Sequence, residues 1–72
     1  MPRKIRQLKR DLRHAGAYME KETGDHEKWK HPLVPDLYVE LSGADGDDAK
    51  PYQEKRVQAL LKRIKQARRA EH

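Results

Sequence analysis

The chain contains neither cysteine nor phenylalanine. The absence of thiols removes disulfides and thiolate zinc sites as staples for a small fold. No apolar run approaches the length that spans a bilayer, and the basic N-terminus lacks the apolar segment of a secretory signal. These absences predict a cytosolic protein with no membrane partner. Apolar residues are also scarce, at 35% against 40% charged, a balance close to that of disordered chains. Whether such a chain folds depends on how its apolar residues are spaced.

What is present is a surplus of positive charge. Seventeen Lys and Arg face twelve Asp and Glu, giving a formal net charge of +5. Such an excess attracts a polyanion through counterion release without any base-specific contact, so nucleic acid leads the partner classes. The 72 residues have room for one domain, residues 1–72. A domain this small buries only about 60% of the surface its unfolded chain exposes, so association with a second copy or a partner chain is a fair expectation.

The apolar residues are periodic. Ile5, Leu8, Leu12 and Ala15 recur at three- and four-residue steps, predicting a helix from Pro2 to Ala15 that ends at Gly16. Val57, Leu60, Leu61, Ile64 and Ala67 mark a second helix from about Pro51 to Ala70. Lys and Arg, Lys9 among them, occupy the other faces of both. Between the helices the period falls to two, with Ala17 and Met19 alternating with Tyr18 and Glu20. Trp29 and His31 alternate in the same way with Lys28 and Lys30, and Leu37, Val39 and Leu41 with Tyr38 and Glu40. Three short strands follow, joined by a hairpin at Thr23-Gly24-Asp25 and a tight connection over Pro32 to Asp36. Ser42 to Lys50 reads as a loop of variable conformation.

The fold class is therefore α+β in the order α-β-β-β-α, with both helices packed on one face of a three-stranded antiparallel sheet. Strand parity carries a functional expectation. If Trp29 points into the core with Met19, Leu37, Val39 and Leu41, then Lys28, Lys30, Tyr18, Tyr38 and, by extension, His26 share the uncovered face.

The run Gly24-Asp25-His26-Glu27-Lys28-Trp29-Lys30-His31-Pro32 resembles the glycine-serine-histidine segment of HicA family toxins, which continues through an aromatic residue to a His-Pro pair. Asp47-Asp48-Ala49-Lys50-Pro51-Tyr52-Gln53-Glu54 is similar to the Lys-Pro-Tyr opening of the last helix in some members. The spacing from Gly16 to Gly24 also matches the family's first strand, and together these segments run from residue 16 to residue 54. The resemblance implies a double-stranded-RNA-binding-domain-like fold, an mRNA-cleaving toxin (a metal-independent endoribonuclease) with His26 as catalytic residue, and a HicB-like antitoxin partner, with no cofactor. Two positions depart from the family's commonest pattern: Asp25 stands where serine is usual, and Glu27 where a second histidine is frequent.

Cleavage of RNA needs a base for the ribose 2′-hydroxyl and an acid for the leaving 5′-oxygen, and an imidazole titrating near neutrality serves either role. Lys28 and Lys30 are placed to neutralise charge on the phosphorane, and Asp25 or Glu27 to orient the imidazole. His31, with the parity of Trp29, reads as a hydrogen-bonded structural residue, and His14 and His72 as surface residues. Core packing is favoured over base stacking for Trp29. Asp45, Asp47 and Asp48 lack the terminal glutamate of a calcium loop and read as turn and helix-start residues.

Two other readings compete. The same fold can hold double-stranded RNA by shape without cutting it, which the acidic Asp25 and Glu27 favour slightly. A basic helical hairpin on DNA would require the period-two segments not to be strands.

Overall fold

The computed structural model describes residues 3–70, which places Pro2 and His72 outside the described residues. The order is helix α1 (Ile5–His14), strands β1 (Tyr18–Thr23), β2 (His26–His31) and β3 (Val34–Ser42), then helix α2 (Pro51–Ala70). This is the α-β-β-β-α arrangement that the periodicity predicts, and its sheet excludes the helical-hairpin reading. Among the described residues no helix is long and apolar enough to cross a membrane.

Both helices start with the same local device. The Gln7 Oε1 accepts the Lys4 N–H at 2.8 Å, and the Gln53 Oε1 accepts the Lys50 N–H at 2.8 Å. In each case a glutamine at the third helical position satisfies the backbone donor just before the helix, half of a capping box. Gln53 is buried, and its Nε2 donates to the Ser42 carbonyl at 3.3 Å, tying α2 to the end of β3. Helix α1 begins at Ile5 rather than Pro2 because the preceding residues are held extended: Lys4 bridges Asp48, and Arg3 accepts the Ala49 N–H.

Helix α1 ends in a Schellman motif. The Ala17 N–H donates to the Leu12 carbonyl at 2.9 Å and the Gly16 N–H to the Arg13 carbonyl at 3.0 Å, with Gly16 at φ 90°. A Cβ on Gly16 would stand 3.1 Å from His31 Nε2, so glycine is required by space as well as by backbone angle.

The sheet order is β1-β2-β3, antiparallel throughout. Gly24 at φ 60° opens the two-residue turn between β1 and β2. Strand β2 ends at His31 and β3 starts at Val34, so the connection is Pro32-Leu33 alone, shorter than the Pro32–Asp36 stretch expected from its turn residues. Pro35 fits inside this strand because β3 is an edge strand and the pairing with β2 is irregular between Trp29 and His31.

Both helices pack on one side of the sheet. Ile5, Leu8 and Leu12 of α1, Val57, Leu60 and Ile64 of α2, and Trp29, Val34, Val39 and Leu41 of the sheet form one buried cluster, with Leu37 at its margin. Met19 is the exception to the expected core. It pairs with Trp29, yet it is 43% exposed. The reason is position: β1 is the outer edge, and the helical layer lies behind β2 and β3, leaving every residue of β1 exposed.

Two charged features depart from the sequence reading. Lys9, expected on the solvated face of α1, is only 7% exposed. Its Nζ donates to Glu27 Oε2 of β2 at 2.9 Å and to Asp45 Oδ1 of the loop at 2.6 Å, and Glu27 Oε1 in turn accepts the Trp29 indole N–H at 3.2 Å. The loop before α2 is likewise fixed rather than variable. The Asp47 carbonyl accepts the Ile5 N–H at 2.9 Å, the Asp45 carbonyl accepts the Arg6 N–H at 3.1 Å, and the Asp48 carboxylate pairs with Lys4. The three aspartates serve the N-terminus of α1, where first-turn N–H groups lack helical partners, and not only the start of α2.

Burial opposes the charge on Lys9, but its hydrogen bonds with Asp45 and Glu27 outweigh that penalty and hold its pKa above the ordinary lysine value. The same hydrogen bond from Lys9 lowers the Asp45 carboxyl. Removing the cation leaves the Glu27 carboxylate without its counter-charge and with the Trp29 N–H as its remaining partner, so Lys9→Ala is expected to cost about 2–3 kcal/mol. That is a large fraction of the stability of on the order of 4–11 kcal/mol that a domain this size commands. The depressed Asp45 contributes stability that is full above the unfolded carboxylate pKa of about 4 and disappears as pH falls through its lower folded value. The stability gap between the native chain and Asp45→Asn, measured by urea unfolding, is therefore expected to be present at pH 7 and to close on acidification below about pH 4.

Candidate nucleic-acid interface

Because side chains alternate across a strand, the burial of Trp29 and His31 turns Lys28 and Lys30 to the side away from the helices. His26 shares their parity. In the sheet register His26 stands opposite Thr23 of β1 and Ser42 of β3, Lys28 opposite Lys21 and Glu40, and Lys30 opposite Tyr18. The structure thus gathers His26, Lys28, Lys30, Tyr18 and Tyr38 on the bare face of the sheet. Both tyrosines are about half exposed, and the Lys28 Nζ lies 4.3 Å from the centre of the Tyr38 ring.

His26 lies at the open end of this face, next to the hairpin turn. Its side chain is 61% exposed, and the Asp25 carboxylate is 3.7 Å from its Nε2. That separation pairs the two groups electrostatically when the imidazole is protonated but is too long for a hydrogen bond. Glu27 plays no part in orienting His26. As the next residue along the strand it necessarily faces the other way, and both its oxygens are engaged by Lys9 and Trp29.

A shallow groove of about 260 Å³ runs beside His26, lined by Lys21, Thr23, Lys28 and Glu40 among others. Three of these were not singled out in the sequence. Glu40 was legible, since it alternates with Val39 and so shares the face of Tyr38. Lys21 was not: unbroken alternation from Tyr18 would aim it at the helices. The pairing shifts by one residue between Met19 and Lys21, and this bulge at Glu20 turns Lys21 outward, opposite Lys28. Glu20 also reaches the bare face, with one oxygen 3.3 Å from Lys30 Nζ and the other 3.7 Å from Lys28 Nζ.

The other histidines divide as their positions require. His31 is buried, its Nδ1 accepting the Leu33 N–H at 3.0 Å. Its Nε2 therefore carries the proton and donates to the Ala15 carbonyl at 3.0 Å, a bond that, with Arg68, satisfies the C-terminal end of α1. His14 is exposed at the end of α1, remote in sequence and face from the groove. Trp29 is 2% exposed and lies under the Arg13 guanidinium, so no base can stack on it.

No protein-family model, curated protein or solved structure matches the chain.

Histidine-directed acylation provides a direct check of this placement. Treatment of the folded protein with diethylpyrocarbonate, followed by peptide mass spectrometry, is expected to label His14 and His26 and to leave His31 unmodified until the chain is unfolded.

Proposed function

We propose that this chain is an RNA-cleaving toxin of the HicA type, with His26 as its acid–base residue. The observation that carries the reading is the display of one exposed imidazole on a bare sheet face, in line with Lys28 and Lys30 and beside Lys21. In this reading the imidazole takes the proton of a ribose 2′-hydroxyl. The 2′-oxygen bonds to the adjacent phosphorus, the bond from phosphorus to the 5′-oxygen breaks, and the leaving oxygen receives a proton from the imidazolium or from water. The products are a 2′,3′-cyclic phosphate and a 5′-hydroxyl.

The lysines supply the electrostatic part by holding positive charge where the phosphorane gathers negative charge. Tyr18 and Tyr38 offer flat surfaces for a base or ribose at either margin of the lysine row. The exposed cations of both helices, such as Arg6, Arg10, Lys62 and Lys65, raise the local concentration of RNA without contacting the groove. A HicB-like antitoxin, acting in the cytoplasm, would silence such a surface most simply by covering His26 and its lysines with acidic side chains, which also speeds association.

A second reading is favoured by one specific feature. The Glu20 carboxylate lies between the two lysines, where a phosphate would be gripped, and this suits a module that holds RNA weakly along the sheet without cutting it.

Incubation of purified protein with a long RNA in the presence of a chelator separates the two. The endoribonuclease reading expects cleavage to cyclic-phosphate ends, reduced at least about 100-fold by His26→Ala while RNA retention on a gel persists. Retention without cleavage by the native chain supports the binder, and equal cleavage by both proteins removes His26 from the mechanism.

A further inference from the structure

Glu20 combines an unpaired position in the ladder with contacts to two lysines of the neighbouring strand. It is the extra residue of the β1 bulge, unpaired across the ladder while its neighbours Met19 and Lys21 pair with Trp29 and Lys28. Alternation from Tyr18 already sets Glu20 on the bare face; the bulge turns Lys21 to that face as well and leaves the Glu20 carboxylate free of a cross-strand partner, beside the two lysines of β2. Lys28 and Lys30 are two residues apart on one strand, so their ammonium groups lie on the same side and both reach a single bidentate anion. The carboxylate contacts one with each oxygen, at 3.7 and 3.3 Å. These are ion-pair distances at a partly exposed surface, where pairing is weak and readily exchanged.

We infer that Lys28 and Lys30 form a phosphodiester subsite and that Glu20 is its built-in, displaceable counter-anion, which an RNA backbone phosphate must expel in order to bind. This rests on the RNA-directed reading of the same face and adds a residue that limits affinity there. A phosphodiester presents two anionic oxygens at a spacing close to that of a carboxylate, so it can inherit both contacts. Its advantage over Glu20 comes from the polyanion as a whole, through release of the condensed counterions. Glu20 thereby selects against single small anions and in favour of ligands that carry many phosphates in a row. Glu22, two residues on, is the natural control. It is equally acidic and exposed, but it pairs with Glu27 and so belongs to the helix side of the sheet.

The test uses the full chain carrying His26→Ala, so that bound RNA survives, and a fluorescently labelled single-stranded RNA followed by anisotropy at several salt concentrations. Glu20→Gln is expected to tighten binding by about threefold to tenfold at low salt, and to steepen the salt dependence by about one phosphate contact, near 0.7 in logarithmic slope. Glu22→Gln is expected to change affinity less than twofold. In a chain that also carries Lys28→Gln and Lys30→Gln, the gain from Glu20→Gln should vanish. A gain that persists without the lysines, an equal gain from Glu22→Gln, or no gain at all would overturn the counter-anion role while leaving RNA binding intact. Failure of every variant, including the parent, to bind RNA would overturn the RNA reading and the inference with it.

Discussion

The rest of the structure depends on the burial of the Lys9 ammonium between Glu27 and Asp45. This one cation joins three parts of the chain that are distant in sequence: α1, the start of β2 and the loop ahead of α2. It also sets the indole of Trp29, because the second oxygen of Glu27 accepts the ring N–H. A small core without disulfides has little apolar area with which to enforce one register. A polar contact that is satisfied in one arrangement only, and costly when left unpaired, supplies that uniqueness.

From this constraint the functional face follows by geometry. Glu27 and Trp29 are committed to the helix side, so the residues on either side of them, His26, Lys28 and Lys30, have no choice but the other. The same commitment removes Glu27 from the chemistry it was expected to assist. The opposite end of β2 is fixed by His31, whose ring bonds to the α1 carboxyl end and accepts the Leu33 amide. Histidines of opposite fate thus bound a single six-residue strand: His31, buried and hydrogen-bonded into the fold, and His26, exposed on the bare face.

Much of this was legible in the sequence because it rests on period. The helical stripes from Ile5 to Leu12 and from Val57 to Ile64, the alternation around Trp29 and Val39, and the gathering of two lysines and two tyrosines on one face all follow from repeats of 3.6 and 2.0. What period cannot show is a break in period. The bulge at Glu20 and the irregular pairing before Val39 each admit extra residues, which is why Lys21 joined the bare face unannounced and Val34 to Asp36 became strand. Nor does composition distinguish a solvated lysine from a buried one. Lys9 lies beside Leu8 on the edge of the apolar stripe, and only the tertiary meeting of Glu27 and Asp45 makes its burial tolerable. The aspartate-rich loop misled for the same reason: its carbonyls are ordered by α1, a helix more than thirty residues away.

The proposed function places RNA on the bare side of the sheet, with the helices facing away from it. Backbone amide chemical shifts followed by NMR during titration with an RNA that cannot be cleaved, its 2′-hydroxyls methylated, address this most directly. The account predicts that the largest changes fall on Lys21, His26, Lys28, Lys30, Tyr38 and Glu40. Changes concentrated instead on the exposed turns of α1 or α2, around Arg6, Arg10, Lys62 and Lys65, with the sheet face undisturbed, would contradict it.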